Sequence, residues 1–176
     1  MEVNKSKGLE IRSLYLYNEK IRSLLFQYKG CYDIELSDVF LTKQTSILRI
    51  IYHNYVLCPA PSYKDREEKR GFNHVALMFK QLGLPMIYPF DKTADVKQAD
   101  LNYVDRQKIS NYIVCKDDID IKDKKILFVD DLITTGATAG ACAKLLIEHG
   151  AKKVKVLTMA RTANKKENKK HQSASP

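Results

Sequence analysis

The sequence predicts an α/β protein in which a mainly parallel sheet is flanked by helices. The first observation is that apolar runs typical of strands alternate with segments whose apolar residues recur at helical spacing. The second is a strand–helix–strand unit near the end of the chain, with strands at Lys125–Val129 and Val154–Thr158 and a helix at Ala137–His149. Such a unit places its two strands in parallel. At 176 residues, the chain is long enough for one domain with a sizeable core.

Two helices are predicted before the first core strand, after a polar and flexible N-terminus at residues 1–13. The first helix, Leu14–Tyr28, carries apolar residues at helical spacing. It ends at Lys29-Gly30, because glycine commonly terminates helices. The second helix spans Ile34–Phe40.

The middle of the chain alternates strands and helices around a polar segment. The strand formers of Tyr55–Cys58 precede a proline-rich break, and Phe72–Leu82 shows the apolar face of a helix. Further strands are predicted at Pro85–Pro89 and Tyr112–Cys115. Between them, Lys92–Lys108 is polar and lacks a clear period, so it is predicted to form a mobile flap.

The charge balance favours anionic partners. The chain has 30 Lys and Arg against 21 Asp and Glu, a net charge of +9, which suits nucleotides, pyrophosphate or nucleic acid. Part of this excess lies in residues 163–176, a basic tail without apolar periodicity that is predicted to be disordered. The tail serves either solubility or the tethering of nucleic acid. The folded domain is expected to span residues 14–162.

The composition argues against several classes of protein. None of the four cysteines forms a Cys-x-x-Cys pair, so no zinc ribbon or dithiol redox motif is visible and buried free thiols are expected. No signal peptide is visible, and no apolar run is long enough to span a bilayer. The protein is therefore expected to be cytoplasmic, without membrane insertion.

The most informative string joins a strand, two acids and a turn. Asp130 and Asp131 follow the predicted strand, where ligands bind in open α/β sheets, and ionised carboxylates accept hydrogen bonds from sugar hydroxyls. The next residues lie at a helix N-terminus, which favours an anion. The acids are therefore predicted to hold a ribose, and the turn its 5-phosphate, through Thr134, Thr135, Gly136, Ala137 and Thr138. The alternative is an ordinary strand, turn and capped helix.

A second candidate site follows the first core strand. Arg grips phosphate oxygens through two hydrogen bonds and Lys adds a point charge. The residues expected to contact pyrophosphate are Ser62, Tyr63, Lys64 and Arg66. The basic residues that are candidates for binding nucleic acid are Lys64, Arg66, Lys69 and Arg70. Glu67 and Glu68 reduce the net positive charge of this segment. The alternative to a binding site is therefore an ordinary loop that is exposed to solvent.

The string from Ile126 to Thr138 resembles the phosphoribosyl-pyrophosphate (PRPP) motif of type I phosphoribosyltransferases. The Arg70-Gly71-Phe72-Asn73 string and its spacing from the acids resemble the ComF (ComFC) family of competence proteins, as do Tyr17-Asn18 and Tyr28-Lys29-Gly30. The middle segment is loosely similar through Gln98, Leu101 and Arg106. The resemblance extends over Leu14–Arg161. It implies a type I phosphoribosyltransferase fold with a small flap or hood, and a role in DNA uptake during natural transformation.

Two departures from the family are visible. Members usually begin with a cysteine-rich zinc-binding segment, and this chain begins after the place of that segment, so zinc is not expected here. Lys92 stands where an Arg is common.

The resemblance implies a ribose-phosphate ligand, such as PRPP, and leaves three functions open. A transferase would displace pyrophosphate from C1 with magnesium on the substrate oxygens, with Asp130 and Asp131 as the catalytic residues and the flap excluding water. A binding protein would hold single-stranded DNA. A sensor would bind PRPP without turnover. A competence helicase or a strand-loading protein is implied as partner.

Overall fold

The computed structural model describes residues 2–6, 9–30, 34–62, 68, 71–92 and 113–163. Its strands are β1 (Glu2–Ser6), β2 (Leu9–Leu16), β3 (Val56–Pro59), β4 (Phe90–Lys92), β5 (Ile113–Cys115), β6 (Lys125–Ile133) and β7 (Lys153–Arg161). Its helices are α1 (Glu19–Gly30), α2 (Ser37–Leu41), α3 (Thr45–Tyr52), α4 (His74–Phe79) and α5 (Ala137–Glu148), with 3-10 turns at Ile34–Leu36 and Lys80–Leu82.

The main sheet has five strands in the order β1-β2-β7-β6-β3. In the described part of the chain, the pairs β2–β7, β7–β6 and β6–β3 are parallel, and the pair β1–β2 is antiparallel. A separate antiparallel pair is formed by β4 and β5. The prediction of a mainly parallel sheet with flanking helices is therefore confirmed.

Strand β6 divides the core into two clusters because its apolar side chains alternate between the two faces of the sheet. Ile126 and Phe128 lie in the cluster that contains the buried face of α5. Leu127 and Val129 lie in the cluster that contains buried residues of α1, α2, α3 and α4. The acids of β6 thus follow a run of apolar residues that is covered on both faces of the sheet.

The central strand β7, near the end of the described chain, pairs with β2, which lies near its beginning. It pairs with β6 on one side and with β2 on the other, and Ile11 is the register partner of Val156. The Nζ atom of Lys155 also donates to Oε1 of Glu10 at 2.8 Å, across a separation of 145 residues. The first and last parts of the domain therefore meet at the middle of the sheet.

The N-terminal part of the fold differs from the sequence prediction. Strands β1 and β2 occupy most of the segment expected to be flexible, and the first helix begins at Glu19 rather than Leu14. The helix begins there because Oδ1 of Asn18 accepts a hydrogen bond from the backbone N–H of Ile21 at 3.0 Å. Ser13 is a polar residue that is buried in β2. Apolar and polar residues therefore do not alternate strictly along β2, and the sequence pattern typical of a strand is weakened.

Smaller differences concern three further elements. The predicted second helix is a 3-10 turn followed by the short α2, and α3 was not predicted. The predicted strand at Pro85–Pro89 forms only one bridge, in which Met86 lies parallel to Leu57. The predicted helix Phe72–Leu82 is divided into α4 and a 3-10 turn. Residues 93–108 of the expected flap and 164–176 of the expected tail lie outside the described residues.

Candidate functional site

The two acids lie within β6 and not beyond its end, which corrects the predicted strand boundary. The strand continues to Ile133, and Asp130 is the register partner of Thr158 in β7. Phe128 and Ile133 belong to the same core cluster although five positions separate them, so the alternation of faces shifts once in this stretch. Both acids stand at the carboxyl-terminal part of a parallel strand, the usual ligand-binding edge of such a sheet.

Asp131 is buried, and its carboxylate lies beside a lysine and a histidine from two other elements. Its Oδ2 atom forms an ion pair with Nζ of Lys29 in the last turn of α1, and lies 3.6 Å from Nε2 of His74 in α4. Its Oδ1 atom accepts a hydrogen bond from the backbone N–H of Leu132 at 2.7 Å. Asp131 therefore connects the sheet to α1 and α4.

The same meeting point is stabilised from the helix side. The hydroxyl of Tyr28 donates to the backbone carbonyl of His74 at 2.7 Å, and the Tyr28 ring is fully buried. This bond fixes the end of α1 against the start of α4. Lys29 and His74 are thereby positioned together beside Asp131.

Asp130 has a different environment. Its Oδ1 atom accepts a hydrogen bond from the backbone N–H of Asp131 at 2.9 Å. Burial raises the pKa of Asp130 to about 7, and the positive charges of Lys29 and Lys92 act in the opposite direction. A carboxyl group with this pKa changes its charge near neutral pH, and a bound cation or a cluster of hydroxyl donors would favour its ionised form.

The turn after β6 ends in a left-handed glycine at the start of a helix. Gly136 adopts a left-handed conformation, with φ of 74°, directly before α5. The backbone N–H of Ala137 donates to Oγ1 of Thr135 at 3.3 Å, and Thr134 and Thr135 are both exposed. The first N–H groups of α5, a helix of 12 residues, therefore lie next to exposed hydroxyl groups.

The structure brings together part of the residues proposed from the sequence. Asp130, Asp131 and the segment 134–138 are contiguous at one edge of the sheet. Ser62 follows β3, the parallel neighbour of β6, and the N–H of Ala60 donates to the carbonyl of Val129 at 2.8 Å. The other residues proposed for pyrophosphate or nucleic acid lie outside the described residues: Tyr63, Lys64, Arg66, Lys69 and Arg70.

Two residues at the site were not assigned from the sequence. Lys29 was noted only within the Tyr28-Lys29-Gly30 string, and His74 was not considered. For Lys29, the sequence shows only a basic residue in the last turn of a helix. Such a residue is favoured by the helix dipole and does not by itself indicate a functional site. Their proximity to Asp131 arises from the packing of α1 and α4 on the sheet.

The two carboxylates are donors of the kind that magnesium accepts. Within the described residues, no group of three or more His, Cys, Asp or Glu side chains is arranged to hold a metal. Two carboxylates supply hard oxygen ligands, and magnesium commonly completes its shell with phosphate oxygens and water. Asp130 and Asp131 are the residues that would contribute to such a site.

The described cysteines are free thiols. Cys58 and Cys142 are buried in the core and Cys115 is half-buried, and burial raises the pKa of each of these three thiols. Cys31 lies outside the described residues. Among the helices that the structure describes, none is both long and apolar enough to cross a membrane.

Comparisons with known proteins identify the class. The family described as "Phosphoribosyl transferase domain" matches residues 68–175. Among solved structures, the hypoxanthine phosphoribosyltransferase of Trypanosoma cruzi is 10% identical, with 74% of this chain and 76% of that chain covered and a TM-score of 0.48.

Two curated relatives make the assignment more specific. "Competence protein ComFC" of Bacillus subtilis is 32% identical over 86% of this chain, which spans only 64% of that protein. "Competence protein ComFC" of Streptococcus pneumoniae is 31% identical over 88% of this chain and 69% of that protein. The chain belongs to the phosphoribosyltransferase domain family and, within it, to the ComFC competence proteins, as its sequence motifs predicted.

Proposed function

We propose that the chain binds PRPP with magnesium at the carboxyl-terminal edge of β6 and acts in DNA uptake. The observation that carries this proposal is the continuity of the acid pair with a left-handed glycine and a helix N-terminus. Carboxylates match the hydroxyl donors of a ribose, and backbone N–H groups match a phosphate.

Each part of the ligand has its own partner residues in this proposal. Asp130 and Asp131 accept hydrogen bonds from the ribose hydroxyls and stabilise the positive charge that develops on the ring during transfer. The 5-phosphate lies against the N–H and hydroxyl groups of Thr134–Thr138. The pyrophosphate contacts Ser62, Tyr63, Lys64 and Arg66. Magnesium, when bound, neutralises the charge of the pyrophosphate leaving group.

Lys29 has a defined part in the ligand-free protein. Its ammonium group compensates the buried charge of Asp131 and lies close enough to Asp130 to lower the pKa of that carboxyl. A ribose that donates to Asp131 therefore shares this carboxylate with Lys29. The ion pair places a positive charge beside Asp131 before the ligand arrives.

The role in DNA uptake is supported by the relatives named as competence proteins. Under this proposal the protein acts in the cytoplasm, where incoming single strands are handled. A competence helicase or a strand-loading protein is the expected partner. The net charge of +9 suits an assembly that contains DNA.

The test is calorimetric titration of PRPP with magnesium into the purified chain. We expect binding by the intact chain and its loss in the Asp130→Ala/Asp131→Ala variant. Asp118→Asn is the matched control, because Asp118 is an exposed carboxylate. Melting curves of all three proteins establish that they are folded at the temperature of the titration.

Two results would overturn this assignment. One is the absence of PRPP binding by the intact, folded chain. The other is unchanged affinity in the folded Asp130→Ala/Asp131→Ala variant, which would place the ligand elsewhere. Release of pyrophosphate, followed with a coupled assay, then separates a transferase from a sensor that binds PRPP without turnover.

A second function, binding of single-stranded DNA, is favoured by the basic residues Lys64, Arg66, Lys69 and Arg70 and by the net charge. Phosphate contacts make such binding steeply dependent on salt. We expect replacement of these four residues by Gln to weaken the binding of a labelled oligonucleotide and to reduce its salt dependence. Equal binding by the intact and substituted chains would exclude this segment as the DNA contact.

A further inference from the structure

Two sequence strings that resemble the ComFC family meet in the structure although they are far apart in the chain. Tyr28 belongs to the first string, and His74 directly follows the second. The hydroxyl of Tyr28 donates to the backbone carbonyl of His74 across a separation of 46 residues, and the ring centroids of Tyr28 and Phe72 are 6.2 Å apart. None of these three residues belongs to the PRPP contacts proposed for this chain, so their meeting requires another explanation.

The start of α4 is fixed by its own chain. Gly71 adopts a left-handed conformation with φ of 75°, and Oδ1 of Asn73 accepts a hydrogen bond from the backbone N–H of Ala76 at 2.8 Å. This cap makes His74 the first residue of the helix. Tyr28 holds the same residue from α1, so the backbone of His74 is fixed from two sides.

The side chain of His74 reaches Asp131 from this fixed position. Its Nε2 atom lies 3.6 Å from Oδ2 of Asp131, the atom that also forms the ion pair with Lys29. The other carboxylate oxygen accepts a hydrogen bond from the backbone N–H of Leu132. Groups from α1, α4 and β6 therefore fix the direction of the Asp131 carboxylate. Contacts of functional acids are commonly long in ligand-free proteins and shorten when the ligand binds.

This arrangement is better explained by binding than by stability. The side chains of Asp131 and His74 are only 9% and 12% exposed, so both have lost most of their contact with water. Apolar residues in place of a buried ion pair commonly give equal or higher stability. A carboxylate that is held in one direction, in contrast, is needed where a ligand donates hydrogen bonds to it.

We infer that Lys29 and His74 are positioning residues for ribose recognition, which direct the carboxylate of Asp131 towards the ribose hydroxyls. They contact Asp131 and act on the ligand through it. Tyr28, through its bond to the carbonyl of His74, holds the two helices together at this point. The inference rests on the proposed function, in which Asp131 accepts a hydrogen bond from the ribose of PRPP.

The first test compares two replacements of His74 by calorimetric titration of PRPP with magnesium into the full chain. Leu removes the nitrogen that faces Asp131, whereas the side-chain amide of Gln retains an N–H donor. We expect His74→Leu to bind PRPP about tenfold more weakly and His74→Gln to remain within about threefold of the intact chain. Melting curves establish that both variants are folded at the temperature of the titration.

Tyr28→Phe tests the same role at a position that the ligand does not reach. Tyr28 is fully buried, so its hydroxyl acts on PRPP binding only through the position of His74. We expect about threefold weaker binding of PRPP. Tyr15→Phe is the matched control, because the hydroxyl of Tyr15 accepts a hydrogen bond from Nε2 of Gln44 at 2.9 Å and β7 separates β2 from β6. It should lower the stability of the protein without changing its affinity for PRPP.

Lys29 is tested by Lys29→Arg, which keeps the positive charge, and Lys29→Met, which removes it. We expect Lys29→Met to weaken PRPP binding at least about tenfold, and more than Lys29→Arg does. If Lys29→Met is unfolded at the temperature of the titration, the variants of His74 and Tyr28 decide the inference.

Failure of this inference is distinguishable from failure of the proposed function. Unchanged PRPP affinity in His74→Leu, or equal losses in His74→Leu and His74→Gln, would overturn the positioning role and leave the PRPP site in place. Equal PRPP affinities of Tyr28→Phe and Tyr15→Phe would overturn it as well. Absence of PRPP binding by the intact, folded chain would overturn the proposed function and this inference together.

Discussion

The two neighbouring acids of β6 lie in different electrostatic environments on the two sides of the strand. On the α1 side, Asp131 is buried against Lys29 and His74, so its charge is compensated within the protein. On the α5 side, Asp130 has a pKa raised to about 7 by burial, and its positive neighbours compensate this only in part. The difference indicates that the protein itself stabilises one acid as an ion, whereas ligand binding would complete the environment of the other.

The largest expected effect comes from removing the compensation on the α1 side. Lys29→Met leaves the buried carboxylate of Asp131 without its ion-pair partner, and we expect the free energy of unfolding to fall by about 3 kcal/mol. This value is at the low end for buried pairs because the Lys29 side chain is 31% exposed. Urea denaturation at neutral pH measures it.

Two further variants establish the cause of that loss. Lys29→Met/Asp131→Asn removes both charges and should recover part of the stability. Lys144→Met removes a lysine from an exposed pair with Glu148 and should change the free energy of unfolding by less than about 0.5 kcal/mol. If Lys29→Met is as stable as Lys144→Met, Asp131 does not depend on Lys29.

The second effect is a dependence of the free energy of unfolding on pH, which arises from Asp130 on the α5 side of β6. The folded-state pKa of Asp130 is raised to about 7 from an ordinary value of 3.8, so the folded protein binds this proton more tightly than the unfolded chain. The resulting stabilisation is present at low pH and is lost as the pH rises from about 4 to about 7. We expect this loss of stability in the intact chain and its absence in Asp130→Asn.

Urea denaturation of both proteins across this pH window provides the comparison. The same ionisation predicts that PRPP with magnesium binds the intact chain more tightly as the pH rises through 7, since the carboxylate is the binding form. Parallel stability profiles of the intact chain and Asp130→Asn would show that Asp130 has an ordinary pKa in the folded protein.

The smallest expected effect comes from the turn before α5. Gly136→Ala places a Cβ at a left-handed residue, and we expect it to lower the free energy of unfolding by about 1 kcal/mol through backbone strain. Contacts do not contribute, because the nearest atom to this Cβ, Cγ2 of Ile133, is 4.0 Å away. Thermal denaturation shows whether the melting temperature of Gly136→Ala falls or rises.

Gly140→Ala, four residues further along and inside α5, is the matched control. No atom lies within 4 Å of a Cβ at position 140, and alanine favours a helix interior by about 1 kcal/mol over glycine. The two variants should therefore change the melting temperature in opposite directions. A stabilising Gly136→Ala would contradict the left-handed conformation of the turn.

The accuracy of the sequence prediction follows from how local each signal is. The unit formed by β6, α5 and β7 was predicted because apolar runs and helical spacing are local patterns. Strand β2 was not predicted for two reasons. Its pairing partner, β7, is distant in the sequence, and Ser13 interrupts the alternation of apolar and polar residues along β2. Lys29 and His74 were missed because their meeting with Asp131 depends on tertiary packing.

The pairing of β2 with β7 has a consequence for synthesis of the chain. Glu10 and Lys155, which are bonded across these strands, are 145 residues apart, so the partner of β2 leaves the ribosome long after β2 itself. Until then β2 and β6 each expose an edge that β7 will cover, and unpaired strand edges promote aggregation. A nascent chain of this protein therefore depends on β7 to pair both of these edges, and chaperones that shield strand edges should bind it before β7 is made.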